Sequence, residues 1–232
     1  MRRAIAGIIA GAALAAPAAA GAATTEVGAN GNVFTGGLSF TPAKLTLAVG
    51  DAVRWRNTDN IVPHTATEDH GLWDLGGDYG ATPANPSGFG PGETRERVFE
   101  AGTQAYYCRV HPTQMRGTIA VAPRLAVQHV RVKIRRKRRP VTTRKRRRRA
   151  RTKVISYLVA VWASASPAQG LAFDVQRARA GGGWIPLGTG TRNTNARFRI
   201  ARGSTWLVRA RLRSAADASK ATGWSPPAGI RG

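Results

Sequence analysis

The residues best suited to chemistry lie close together near the middle of the chain. Cys108, His111 and Met115 place a thiol, an imidazole and a thioether within eight residues. Cys108 is the only cysteine, so it cannot form an internal disulfide, and a leftover thiol is free, intermolecular or chemically employed. A cysteine and a histidine three positions apart, on a tight loop that leaves a strand, can bind one metal ion from two sides.

Such a site needs a third strong ligand, which His64 can supply from the turn after a predicted strand at residues 53–57. Two imidazoles, one thiolate and a weak axial sulfur form the trigonal arrangement that copper uses for electron transfer. Zinc also accepts Cys and His, but its structural sites usually have four strong ligands with CxxC-type spacing, which the sequence lacks. We therefore predict one type 1 copper ion bound by His64, Cys108, His111 and Met115.

The segments around these residues alternate between apolar and polar side chains, which is typical of strands with one buried face. This alternation places Trp55 and Tyr106 in a core, whereas Trp73 could lie in the core or at the surface. Helix signals are absent. The predicted strands cover residues 45–49, 53–57, 94–99, 104–108 and 117–121, and a long surface loop at 67–92 contains a short strand at 71–74.

Several motifs follow one another along this region: Phe40-Thr41-Pro42, residues 49–57 (VGDAVRWRN), Pro63-His64-Thr65 and residues 107–112 (YCRVHP), with Met115 and Gly117-Thr118 after them. In this order they resemble the plastocyanin and amicyanin branch of the cupredoxins. The resemblance covers residues 36–121 and implies a Greek-key β-sandwich with copper at one end, beneath a loop-rich surface. It also implies three equatorial ligands, His64, Cys108 and His111, with Met115 as the axial ligand. His70 and His129 do not match the pattern and are interpreted as surface residues.

The axial position has a second candidate. In the families that the chain resembles, the methionine lies three or five positions after the second histidine, whereas Met115 lies four after His111. Gln114 occupies the third position, and glutamine is itself an alternative axial ligand. A thioether is the commoner choice, so we favour Met115.

The N-terminus has the organisation of a signal peptide, which we assign to residues 1–23. Arg2 and Arg3 form a positive segment, residues 4–15 an apolar segment, and residues 18–20 a cleavage site of small side chains. No later segment is long and apolar enough to span a bilayer. We therefore expect an exported protein, located in the periplasm or at the cell surface.

Charge is unevenly distributed along the chain, whose formal net charge over all 232 residues is +24. The predicted cupredoxin domain at residues 24–123 has 7 basic and 10 acidic residues. A strand and an Arg/Lys-rich loop or linker follow at 124–153, and the segment from Arg131 to Lys153 has 15 basic and no acidic residues. Further alternating segments predict a second β-sandwich at 154–232, loosely similar to immunoglobulin and fibronectin type III modules. The expected fold is therefore all-β.

The predicted function is one-electron transfer by Cu(I)/Cu(II) cycling between extracytoplasmic redox partners. The chain has 4 histidines, too few for the further copper centres of copper oxidases and nitrite reductases, so we predict a carrier and not an enzyme. Two alternatives are a copper-delivery protein and a polyanion-binding surface protein with an ancillary cupredoxin domain. The basic segment is either a solvated loop or a contact for anionic cell-wall or membrane-surface polymers. A specific nucleic-acid partner is not expected.

Overall fold

The computed structural model describes residues 22–32, 36–77, 88–134 and 151–232, and within these ranges the regular elements are all β-strands. The first 21 residues of the predicted signal peptide and most of the basic segment, residues 135–150, lie outside the described residues. In the described ranges no helix has the length and apolarity needed to cross a membrane. The strands are β1 (Thr24–Asn32), β2 (Gly36–Thr41), β3 (Lys44–Ala48), β4 (Ala52–Asn57), β5 (Thr67–Glu68), β6 (Thr94–Val98), β7 (Gly102–Tyr107), β8 (Arg116–Ala122), β9 (Arg124–Ile134), β10 (Arg151–Val161), β11 (Leu171–Arg179), β12 (Ile185–Thr191), β13 (Asn195–Ile200), β14 (Thr205–Ser214) and β15 (Ala228–Arg231).

The N-terminal half forms two sheets, with strand orders β2-β1-β4-β6 and β3-β8-β7-β5. The pairs β1–β4 and β3–β8 are parallel, and the others are antiparallel. Along β4, Val53 and Trp55 are buried while Arg54 is exposed, as the alternation predicts. Trp55 of the first sheet meets Tyr106 of the second edge to face, with ring centroids 5.5 Å apart. The predicted sandwich is confirmed, and its two sheets pack on a shared aromatic core.

Two features of this sandwich differ from the sequence expectations. Strands β1 and β2 were not predicted, because their glycine and asparagine residues have low strand propensity. The strand predicted at residues 71–74 is wrong, since only Asp74 makes a bridge there, to Thr67. The physical reason is the buried Glu68 side chain, which accepts hydrogen bonds from the backbone N–H groups of His70 and Leu72 and so bends the chain.

The C-terminal half forms a second pair of sheets, with orders β13-β10-β9 and β12-β11-β14-β15. A single residue, Pro123, separates β8 from β9. Strand β9 pairs with β10 in unbroken register, from Arg124 opposite Val161 to Ile134 opposite Arg151. Phe198 of one sheet packs on Trp206 of the other, with centroids 5.4 Å apart. This half is therefore all-β, as expected. The division of the chain into domains at residues 24–123, 124–153 and 154–232 stays a prediction.

The two sandwiches contact each other at the start of β7. The Ala101 N–H donates to the Trp162 carbonyl at 2.7 Å, and Thr103 and Gly223 exchange two backbone hydrogen bonds of 2.9 Å. A strand rises about 3.3 Å per residue, so Cys108 lies about 16 Å further along the chain than Thr103. These contacts therefore lie at the opposite end of β7 from Cys108. The end of β7 next to the cysteine remains available for other contacts.

An ion cluster on β11 and β14 supports the C-terminal sandwich. Asp174 accepts hydrogen bonds from Arg211, Arg213 and the Gly190 N–H, at 2.9 to 3.1 Å. Burial acts to raise the pKa of Asp174, but these hydrogen bonds outweigh it and hold the pKa below its usual range. The cluster should therefore stabilise the fold above the pKa of the unfolded carboxyl. That contribution is lost as the pH falls through the lower, folded value.

Replacing Asp174 by asparagine should lower the free energy of unfolding at pH 7 by about 2 kcal/mol, since it weakens hydrogen bonds to a charged group. The difference in free energy of unfolding between the variant and the wild type should narrow as the pH falls through the pKa of Asp174 in the folded protein. Urea unfolding across a pH series measures both effects. Asp217→Asn changes a partly exposed carboxyl that accepts hydrogen bonds from Ser219, a residue of a turn in the same sandwich. It serves as the control, and equal losses in the two variants would contradict the prediction.

Candidate metal centre

The loop between β7 and β8 carries three of the predicted ligands. Cys108 follows the last residue of β7, and Met115 precedes the first residue of β8. Three backbone hydrogen bonds hold the loop closed: His111 donates to Cys108 at 3.2 Å, Met115 to His111 at 3.0 Å, and Cys108 to Met115 at 3.0 Å. The ligand positions are therefore fixed by the backbone as well as by side-chain packing.

His64 reaches the same place from the segment between β4 and β5. Its backbone exchanges two hydrogen bonds with Phe89, at 3.1 and 2.9 Å. Gly88 is required beside this bridge, because a Cβ atom there would collide with the His64 carbonyl oxygen. The histidine is thus held by a pairing that joins the segment after β4 to the end of the long loop.

The structure brings His64, Cys108 and His111 together at one end of the N-terminal sandwich. Their ligand atoms all lie within 4.8 Å of one another, and His64 Nδ1 is 3.7 Å from Cys108 Sγ. His64 and Cys108 are 0% exposed, whereas His111 is only partly buried. This spacing suits three ligands that share one ion, with one imidazole near solvent.

The chemistry of these atoms fits a metal ion. His111 Nδ1 is buried and makes no hydrogen bond within the described part of the chain, a costly state that coordination would relieve. Cys108 Sγ accepts a hydrogen bond from the Thr65 N–H at 3.3 Å, and such bonds tune the potential of copper–thiolate sites. No second group of three or more metal-binding side chains occurs among the residues described.

The electrostatics keep both imidazoles in the metal-binding form. Burial and the neighbouring His111 lower the pKa of His64, against an opposing effect of Asp59. Burial also lowers the pKa of His111, again against Asp59. Neutral histidine is the form that binds metals, so lowered pKa values favour the binding form of these two side chains.

The two axial candidates occupy different environments. The Met115 side chain is 0% exposed and belongs to the hydrophobic core. Gln114 is exposed, and its Oε1 accepts a hydrogen bond from the Thr113 hydroxyl at 2.8 Å. The buried position favours Met115 as the side chain that lies next to the three converging ligands.

The two aromatic residues assigned to the core and the two remaining histidines lie where the sequence predicted them. Trp55 and Tyr106 are buried as predicted, and burial raises the pKa of Tyr106 to about 12. His70 and His129 are exposed, as interpreted. Trp73, which the sequence left open, lies in the core and donates to the Gln104 side chain at 2.7 Å.

Sequence reasoning missed the polar residues that support His64. Asn57 donates to the carbonyls of Val62 and Phe89, both at 2.9 Å. Asp59 is buried, and its Oδ2 lies 3.5 Å from His64 Nε2. The segment was predicted only as a turn. The one available signal was a carboxyl group five positions before a histidine ligand, which is not specific by itself.

Comparison with known protein families gives a consistent result for the N-terminal half. Residues 27–122 match the model of the copper binding proteins of the plastocyanin/azurin family. Plastocyanin from Scenedesmus fuscus is 32% identical over 100 residues, which are 42% of this chain and 97% of that protein. The range matched by the family model, residues 27–122, includes all four predicted ligands.

Solved structures similar to this chain include a purple cupredoxin and a "blue" copper protein. The purple cupredoxin from Nitrosopumilus maritimus is 27% identical, with 41% of this chain and 97% of that chain covered and a TM-score of 0.31. Auracyanin A from Chloroflexus aurantiacus, described as a "blue" copper protein, is 24% identical. There the match covers 44% of this chain and 99% of that chain, with a TM-score of 0.32.

Proposed function

The chain belongs to the plastocyanin/azurin family of copper-binding proteins, and we propose that it carries single electrons on one type 1 copper ion between extracytoplasmic redox partners. One observation carries this proposal. A thiol and two imidazoles converge within 4.8 Å at a largely buried site, which is the donor set that copper uses for electron transfer. The signal peptide predicted at residues 1–23 supports the extracytoplasmic location.

We assign His64, Cys108 and His111 as equatorial ligands and Met115 as the axial ligand. When bound, copper supplies a one-electron couple between Cu(I) and Cu(II). The protein keeps the donor atoms in place, because the loop from Cys108 to Met115 is closed by backbone bonds and His64 is paired with Phe89. Burial excludes water from the thiol. Both oxidation states therefore meet nearly the same ligand positions.

Electrons should enter and leave through His111, the ligand that is only partly buried. Ile61, on the neighbouring loop segment, is 53% exposed, and Pro112 beside His111 is exposed as well. A partner that docks here brings its own redox centre close to the imidazole. The role is that of a carrier, since the remaining histidines His70 and His129 lie outside the ligand cluster.

Copper titration of the purified protein tests the proposal. We expect one equivalent of Cu(II), an intense visible band, and a reversible one-electron couple that bleaches and restores the band. The copper-delivery alternative predicts rapid loss of Cu(I) to a competing chelator, because a delivery site must release its cargo. A colourless complex, or no reversible couple, would rule out electron transfer at this site.

The axial assignment can be tested with two variants. Met115→Leu should leave the protein folded and coloured but raise its reduction potential, because loss of a weak donor disfavours Cu(II). A rise of about 60 mV corresponds to a tenfold change in relative affinity. Gln114→Leu is the matched control and should leave the potential unchanged. If only the Gln114 variant shifts the potential in voltammetry, glutamine is the axial ligand.

A second function, binding to anionic cell-wall or membrane-surface polymers, is favoured by the far end of the β9–β10 pair. There Arg131, Lys133 and Lys153 are all exposed. They flank residues 135–149, which include 11 further Lys or Arg and no acid. Such a concentration of positive charge attracts polyanions, and it would keep an exported carrier at an anionic surface.

A further inference from the structure

Asp59 lies in the bend that follows β4, with its side chain 1% exposed. Its backbone N–H donates to Asn57 Oδ1 at 2.8 Å, and its own Oδ1 accepts the Ile61 N–H at 2.9 Å. The first bond fixes the backbone of Asp59, and the second fixes its carboxyl group through Oδ1. The second oxygen, Oδ2, is buried and free of these bonds.

Asp59 Oδ2 lies 3.5 Å from His64 Nε2, at the long limit of a hydrogen bond. Both atoms are buried, and neither makes a geometrically well-formed hydrogen bond within the described residues. Because an oxygen of a carboxylate only accepts, the pair is satisfied when Nε2 carries the hydrogen. The lone pair of the imidazole is then on Nδ1, the atom that lies 3.7 Å from Cys108 Sγ.

We propose that Asp59 is a positioning residue of the copper site, which holds His64 in the Nε2–H tautomer and, through its negative charge, favours Cu(II) over Cu(I). The inference rests on the copper function proposed above. Carboxylate partners of metal-bound histidines fix the ring orientation and increase the basicity of the ligand. A buried charge acts strongly here because little water screens it.

A purely structural role would be to cap the bend through the Ile61 N–H. Asp59→Asn separates the two roles, because the amide oxygen can still accept from Ile61. The amide NH₂ then takes the place of Oδ2, where it meets the Nε2–H as a second donor. The variant thus keeps the cap and loses the acceptor that sets the tautomer.

The experiment measures Cu(II) and Cu(I) affinities by chelator competition, together with the reduction potential and the unfolding of the copper-free protein. For Asp59→Asn we expect a coloured protein whose Cu(II) affinity falls tenfold to about a hundredfold. Cu(I) affinity should fall less, so the potential rises. The control is Asp51→Asn, which removes a carboxyl that caps another turn of the same sandwich through Ala23 and Ala48. It should leave the ratio of the two affinities unchanged.

Equal effects of the two variants on that ratio would overturn the inference. A second measurement needs no variant: nitrogen-15 NMR of the copper-free wild type should show His64 with its hydrogen on Nε2, and the Nδ1–H tautomer would contradict it. If the copper-loaded wild type has no type 1 spectrum, both this inference and the proposed function are wrong. A coloured wild type with an unchanged Asp59→Asn variant would remove the inference alone.

Discussion

Replacing Cys108 by serine should abolish the intense visible absorption of the copper-loaded protein. That band arises from charge transfer between the thiolate and Cu(II), and a serine hydroxyl is too hard and too weak an acid to replace the sulfur. Cu(I) binding should suffer most, since it depends on the soft ligand. Absorption spectra and Cu(I) competition with a chelator measure both losses.

The serine variant should fold normally, which makes the loss of colour specific. Serine is slightly smaller than cysteine, and the backbone bond from position 108 to Met115 does not depend on the side chain. His70→Ala, at the exposed histidine of the same sandwich, should retain the full band. Persistence of the band in Cys108→Ser would show that the thiolate assignment is wrong.

The convergence of His64, Cys108 and His111 could be expected from the sequence partly because two of these residues are close together in the chain. Cys108, His111 and Met115 share one loop, and their spacing is compatible with a common ion, which the joint occurrence of the surrounding motifs then favoured. His64 lies far from them in sequence, and it was placed by the order of several motifs. The alternation that predicted Trp55 and Tyr106 as core residues is equally local, since side chains in a strand point to opposite faces in turn.

Features that depend on distant partners could not be predicted in this way. The first strand contains Gly28 and Asn30, yet it is ordered by a parallel ladder to β4 and an antiparallel one to β2. Strand propensity is weak compared with such pairing. The contact between Asp59 and His64 could not be predicted for the same reason. It forms only when the bend after β4 folds back on His64.

The loop after β5 is the converse case: the local pattern predicted a strand at residues 71–74, and the strand does not form. Within residues 71–74 only Asp74 makes a bridge, to Thr67. The Glu68 carboxyl accepts hydrogen bonds from the backbone N–H groups of His70 and Leu72, which bends the chain there. Polar side chains that hydrogen-bond to nearby backbone compete with the ladders of a sheet. Whether residues 71–74 form a strand therefore depends on whether the Glu68 carboxyl is buried against this backbone, which the local pattern does not show.

Neutralising the basic segment should release the protein from anionic surfaces without changing its copper spectrum. The variant replaces the 11 Lys and Arg at residues 135–149 by Gln and Ser at constant length, so that the β9–β10 pair keeps its connection. Basic residues near an anionic membrane contribute about 1 kcal/mol each. If only four of them act at once, binding weakens by about 4 kcal/mol, or about a thousandfold.

Sedimentation with anionic vesicles and with anionic cell-wall polymer measures this loss. Wild-type binding should fall steeply between 0.1 and 1 M salt, as the screening length shrinks from about 10 Å to about 3 Å. A variant with the arginines at 135–149 changed to lysine keeps the charge and should bind either surface much as the wild type does. The copper spectra of all three proteins should agree, because Cys108 lies at the far end of β7 from the contact with the second sandwich. Binding that survives neutralisation, or that ignores salt, would mean that the segment is a solvated loop.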